Sequence, residues 1–248
     1  MRESLSSDAA ANALLVCGDA EDCKLIVDSL TSLAIQPQVC EERFRATSLL
    51  GSLKFEAVIV DARLGEAASY IMNKFRQSPA NHRAISFVIT GDDHGDAKTS
   101  STFVLQRPLS AASITRTLRA AYGLMVRERR RYFRCPVTVP ALIRIKGNPE
   151  EVPCDTVNIS EGGVSIHSPV LVESSVPQAM RLRLPGRSSQ LATETSVRWR
   201  SPDGLVGLEF LNLPASQKSE LQEWLAQKLE ETLPESVAAL FRSIAPSI

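Results

Sequence analysis

No apolar stretch in this 248-residue chain approaches the ~20 residues that span a bilayer. Residues 1–12 are polar and alanine-rich rather than basic and then apolar, so no export signal is read there. Charge of one sign is also missing. Lys and Arg number 28, Asp and Glu 28, and nothing global draws the molecule to DNA, RNA or an anionic membrane. Cys17, Cys23, Cys40, Cys135 and Cys154 are odd in number, widely spaced and form no C-x-x-C pair, which points away from a disulfide framework or a zinc site. A cytoplasmic protein fits that usage. Histidines are few: His82, His94 and His167 stand apart from one another and from any nucleophile motif. H-E-x-x-H, a Walker loop and G-x-S-x-G are all absent, so no catalytic residue is assigned and the expectation is a protein that is not an enzyme.

What the chain does have is two patterns in succession. From Ala13 to Met125, apolar runs (Ala13–Cys17, Ala57–Val60, Ile85–Ile89, Phe103–Leu105) alternate with segments of helical spacing such as Leu25, Leu30, Leu33 or Ile114, Leu118, Ala121. This is the β-α alternation of a doubly wound parallel sheet. From Val137 to Leu211 the period becomes two, broken by turn residues about every ten positions, as in an antiparallel barrel. After Pro214, Leu221, Leu225 and Leu229 recur at i+4 beside Trp224, which predicts a helix closing one end of that barrel. The domain reading is therefore a disordered N-terminus (1–12), an α/β domain (13–125), an arginine-rich linker (126–136), an all-β barrel with its helix (137–233) and a helical extension (234–248). On that extension Val237, Leu240, Phe241 and Ile244 share one face, suited either to the chain's own barrel or to a partner.

Positive charge is concentrated in one place. Val126-Arg-Glu-Arg-Arg-Arg-Tyr-Phe-Arg holds five arginines in eight residues. Arginine offers a planar fork that pairs bidentately with phosphate or with the O6/N7 edge of guanine, and a flat face that stacks on bases. Arg130 and Arg134, four apart, would project to one side of a helical or turn-like linker. By itself the run also reads as a solvated linker or a nonspecific nucleic-acid patch. A second element, Asn158-Ile-Ser160-Glu-Gly162-Gly163, lies between two predicted strands, where Asn and Ser offer short polar groups and glycine allows tight turns and close backbone approach.

With both elements present, Arg130–Phe210 resembles a PilZ domain, the cyclic di-GMP receptor module. The matching residues are Arg129–Arg134 for its R-x-x-x-R signature, Asn158–Gly163 for its [D/N]-x-S-x-x-G signature and the closing strand Gly207-Leu-Glu-Phe210. The resemblance implies a six-stranded barrel whose preceding linker folds over the ligand. It assigns Arg130 and Arg134 to guanine edges and phosphates, Asn158 and Ser160 to a guanine, and Gly163 to an open turn, with Arg129 adding a phosphate or stacking contact. Ligand stoichiometry, one nucleotide or an intercalated pair, stays open.

Ala13–Met125 resembles a response-regulator receiver domain, with Asp61 at the phospho-acceptor position, Thr90 at the hydroxyl position and Arg107-Pro108 where that family has Lys-Pro. The acidic pair after the first strand reads Cys17-Gly18, leaving Asp19 nearby, and Mg²⁺ prefers oxygen ligands, so no metal is expected. Asp61 then either caps a strand end, paired with Arg107, or serves as the phosphorylation switch of an alternative regulator whose output is the PilZ domain. Sixteen residues separate Thr90 from Arg107, so the usual fourth helix is read as short or absent. That leaves a different face for a homodimer, or a scaffold for a protein partner. The combined expectation is a cyclic di-GMP receptor or effector in which the nucleotide, bound at linker and barrel, changes domain arrangement or partner binding.

Overall fold

A computed structural model describes residues 9–91, 102–144, 150–168 and 178–244. Two compact units divide the chain: Met1–Arg129 together with Glu231–Ile248, and Arg130–Glu230.

The first unit alternates strands β1 (Ala11–Val16), β2 (Ile35–Cys40), β3 (Ala57–Asp61), β4 (Ile85–Thr90) and β5 (Thr102–Gln106) with helices α1 (Ala20–Ser32), α2 (Arg43–Ser52), α3 (Glu66–Gln77) and α4 (Ala111–Tyr132). All four strand pairings are parallel, in the order β2-β1-β3-β4-β5. That is the doubly wound order of flavodoxin-like and receiver folds. β1 and β3 are buried along their whole length, which explains their continuous apolar runs. Leu14, Val16, Val58 and Val60 pack with Leu49, Leu50, Ile71 and Phe75 of α2 and α3, which leaves the alternate strand residues for the opposite face.

Two boundaries differ from the sequence expectation, and one expectation falls outside the described residues. β1 begins at Ala11, inside the segment read as disordered, because Asn12 is buried and its backbone N–H donates to Glu56 Oε2 at 2.7 Å; residues 1–8 lie outside the described residues. The segment read as lacking a full fourth helix, residues 92–101, also lies outside them. The arginine run is not a separate linker. α4 continues through it to Tyr132, for its buried stripe Ile114, Leu118, Ala121, Tyr122, Met125 repeats at helical spacing as far as Val126 and Glu128.

In the second unit, β6 (Arg134–Pro136), β7 (Pro140–Arg144), β8 (Glu151–Ser160), β9 (Gly163–His167), β10 (Gln178–Leu182), β11 (Leu191–Arg200) and β12 (Leu205–Phe210) pair antiparallel in the order β6-β8-β7-β10-β11-β12-β9. β8 also pairs with β9, so six strands close into a barrel and β6 adds to its rim. Inside lie Ile143, Ile159, Ile166, Met180, Leu182 and Leu208. Helix α5 (Ala215–Thr232) adds Leu221, Trp224 and Leu225 to this core, and the Trp224 indole N–H donates to Pro185 O at 3.0 Å. Helix α6 (Glu235–Ile244) groups with the first unit rather than the barrel.

Candidate functional site

Strand register joins the two halves of the sequence signature. Across β6 and β8, Arg134 stands opposite Ser160 and Pro136 opposite Asn158; across β8 and β9, Ser160 stands opposite Gly163. Cys135, Ile159 and Val164 alternate with these residues and belong to the barrel core. Arg134, Asn158 and Ser160 therefore occupy the outward face, Arg134 exposed and the other two half-buried. The Ser160 hydroxyl donates to Gly163 O at 3.1 Å and closes the turn.

At Gly163 the close backbone approach that glycine allows is to β12, a partner the sequence does not name. A Cβ there would stand 2.1 Å from the carbonyl oxygen of Leu208 and 3.2 Å from Glu209 Cα. The glycine lets β9 and β12 approach, whereas a Cβ on neighbouring Gly162 would meet nothing within 4 Å.

The outward strip runs on across β9 and β12. Ser165 stands opposite Asn158 on one side and Gly207 on the other, and its hydroxyl is buried without a hydrogen-bond partner. A Cβ on Gly207 would fall 2.2 Å from Trp199 Nε1, so the indole of Trp199 lies directly over that glycine. This indole is 49% exposed. Trp199 was not among the residues singled out from sequence. The available signal was a tryptophan in an alternating strand whose partner strand carries a glycine, but the pairing has to be known to use it.

The arginine run is divided between a helix and a strand, and between the two units. Helix α4 stops at Tyr132 and Arg134 starts a strand, so the i,i+4 geometry expected for Arg130 and Arg134 does not apply. Competition from the β8 ladder ends the helix, since Arg134 and Cys135 take up pairing with Ser160 and Ile159. Arg127 is exposed, while Glu128 is buried and pairs with Lys54 at 2.9 Å in the first unit. Arg129 also belongs to that unit, where its charge acts on Glu56, whose carboxyl is pushed up by burial. Arg130 belongs to the barrel unit and faces Glu230 at 3.7 Å. Of the residues read from the signatures, Arg134, Asn158, Ser160 and Gly163 are brought together, Arg130 stands one turn before them, and Arg129 is grouped elsewhere.

A second constellation sits at the carboxyl ends of the strands in the first unit. Asp61 is 3% exposed; Oδ2 accepts from Arg107 at 2.8 Å and from Arg63 Nε at 3.4 Å, while Oδ1 accepts from the Arg63 backbone N–H at 3.0 Å. Arg107 and Arg63 also reach Asp22, at 2.7 and 2.8 Å, and Arg63 reaches Asp19 at 3.2 Å. Burial works to raise the Asp61 carboxyl, but the hydrogen bonds and charge of the two arginines outweigh it and hold the group below the usual carboxylate range. Cys17, Asp22 and Asp61 could turn donor atoms within 4.8 Å of one another. They do not suit the divalent cation of a receiver. Burial pushes the Cys17 thiol up to about 12, which keeps it protonated, and two guanidiniums already neutralise the carboxylates. Asp22 and Arg63 were missed in the sequence because they lie in helical turns, away from the strand-end positions that the receiver pattern names.

Residues 128–227 match the family described as PilZ domain. No curated protein matches the chain. Among solved structures, the Bacillus subtilis inhibitor of motility MotI/DgrA is 24% identical with a TM-score of 0.35, covering 40% of this chain and 51% of its own, so the match spans about half of that protein. A receiver domain of a Pseudomonas aeruginosa sensor histidine kinase, with magnesium coordinated in its active-site cleft, is 20% identical, covers 46% of this chain and 99% of its own, and has a TM-score of 0.41. The PilZ domain of CeSA from a cellulose-synthesizing bacterium is 19% identical, covers 38% and 94%, and has a TM-score of 0.31.

Proposed function

We propose that the PilZ domain formed by residues 128–227 is a receptor for cyclic di-GMP, and that nucleotide binding alters domain arrangement or partner binding rather than driving a reaction. The observation that carries this reading is the β6–β8 register, which sets Arg134 opposite Ser160 and beside Asn158 on one outward face. Arg130 and Arg134 supply bidentate forks for guanine edges and phosphates. Asn158 and Ser160 meet the polar edge of a base, and the exposed Trp199 indole offers a stacking surface at the far end of the same strip. Arg129 adds a phosphate or stacking contact, as the resemblance to the family implies.

Position supports the signalling role. The barrel unit begins at Arg130, so a ligand held by Arg130 and Arg134 acts where the chain passes from one unit to the other. The receiver-like unit serves as a surface for a protein partner, and Asp61, held in ion pairs with Arg63 and Arg107, does not act as the switch. Among the described residues no helix is long and apolar enough to cross a membrane. Calorimetry with cyclic di-GMP on wild type and Arg134→Ala tests the reading: losing one bidentate arginine contact weakens binding by about 1–3 kcal/mol. Equal affinities for the two proteins would remove Arg134 from the site.

A further inference from the structure

We propose that Glu230 is a built-in competitor for Arg130, a carboxylate that clasps the guanidinium until the nucleotide takes its place. The proposal rests on the receptor reading. Glu230 Oε1 stands 3.7 Å from Arg130 NH2, the two side chains being 21% and 27% exposed. A carboxylate and a phosphate use the same guanidinium fork, so Arg130 has to release or share Glu230 when an anionic ligand arrives. Burial depresses Arg130, and the Glu230 charge is what works against that loss.

Helix chemistry says what the clasp does for α5. It lies in the last turn of α5, which carries no basic residue, and a carboxylate at the negative end of a helix dipole is disfavoured. Arg130 offsets that penalty, so removing it leaves the final turn of α5 less stable. The same helix also touches the other half of the signature: Gln222 Nε2 donates to Glu161 Oε1 at 2.7 Å. Residues 222 and 230 are about 12 Å apart along the axis, so α5 senses both halves of the site. The barrel unit also starts at Arg130 and ends at Glu230, so the clasped pair marks the two points where the chain enters and leaves it. Opening the clasp loosens the second of these points when the ligand binds at the first.

The test is calorimetry of the full chain with cyclic di-GMP, using wild type, Glu230→Gln, Arg130→Ala and the double variant. Hydrogen–deuterium exchange over the last turn of α5 follows the clasp itself. Glu230→Gln is expected to bind about three- to fivefold more tightly, the scale of a partly exposed ion pair. The α5 terminus of Arg130→Ala should exchange faster without ligand, as the wild-type terminus does only with ligand bound, whereas Glu230→Gln, which leaves no unpaired carboxylate at the helix end, should not. The double variant should bind no better than Arg130→Ala. Wild-type binding with Glu230→Gln equal or weaker would overturn the clasp and leave the receptor standing. No binding by either wild type or Glu230→Gln would overturn the receptor reading and the clasp with it.

Discussion

Gly163→Ala should destabilise the barrel rather than merely blunt ligand binding. The added methyl would lie 2.1 Å from a backbone oxygen of β12, and no flexible side chain is there to move aside. To reach the ~3.5 Å at which such contacts become favourable, the strands must part by about 1.4 Å. The Gly163–Glu209 position of the β9–β12 ladder then opens. Overpacking costs about 1–3 kcal/mol, and each broken ladder hydrogen bond adds about 1 kcal/mol. The total of about 3 kcal/mol or more is a large share of the roughly 5–15 kcal/mol that stabilises a typical domain. Urea unfolding followed by circular dichroism reads this directly, with Gly162→Ala as the control expected to stay within about 0.5 kcal/mol of wild type. A Gly163→Ala protein of wild-type stability that only fails to bind nucleotide would refute the argument, because the glycine would then serve the ligand and not the close approach.

Other consequences are as open to measurement. Asp61→Asn removes a carboxylate held below its ordinary value of 3.8, so the stabilisation it provides is present above that pH and lost as pH falls through the lowered folded value. The variant should lose about 2 kcal/mol in urea unfolding at neutral pH and differ little from wild type under strong acid. Acetyl phosphate and Mg²⁺ should leave wild-type melting unchanged, because Arg63 and Arg107 already occupy the carboxylates. Gly207→Ala should push the Trp199 indole off the strip, which is read as a change in tryptophan emission; as Trp199 is half-exposed and free to swing outward, the stability cost should stay below about 1.5 kcal/mol. Trp224→Ala should cost about 3–5 kcal/mol, since the indole is buried where α5 meets the barrel.

The sequence was most readable where burial imposes a simple rule. β1, β3 and β4 announce themselves as apolar runs because both faces of a central parallel strand are covered. β2 does not: Ile35-Gln-Pro-Gln-Val-Cys40 is an edge strand, buried only at its ends, and its Pro37 is tolerated there. The barrel was visible from its alternation, and both signature motifs were visible as motifs. What joins them is register, and no spacing along the chain states that Arg134 faces Ser160.

The arginine run misled in an instructive way. Charge suggested solvent and therefore a linker, yet Met125, Val126 and Glu128 keep one face of the helix buried while arginine, a good helix former, occupies the rest. Individual arginines then take different neighbours, Arg129 within the first unit and Arg130 beside Glu230. Trp199 and Asp22 escaped notice for a related reason, since each acquires its meaning only from a residue brought near by folding.

The most direct measurement is a titration of the full chain with cyclic di-GMP, with GTP and cyclic di-AMP as competitors. Saturable binding is expected with cyclic di-GMP alone, weakened by Arg134→Ala and Asn158→Ala and left untouched by Asp61→Asn. Absence of binding by the wild-type protein, or binding that survives loss of both Arg134 and Asn158, would contradict that expectation.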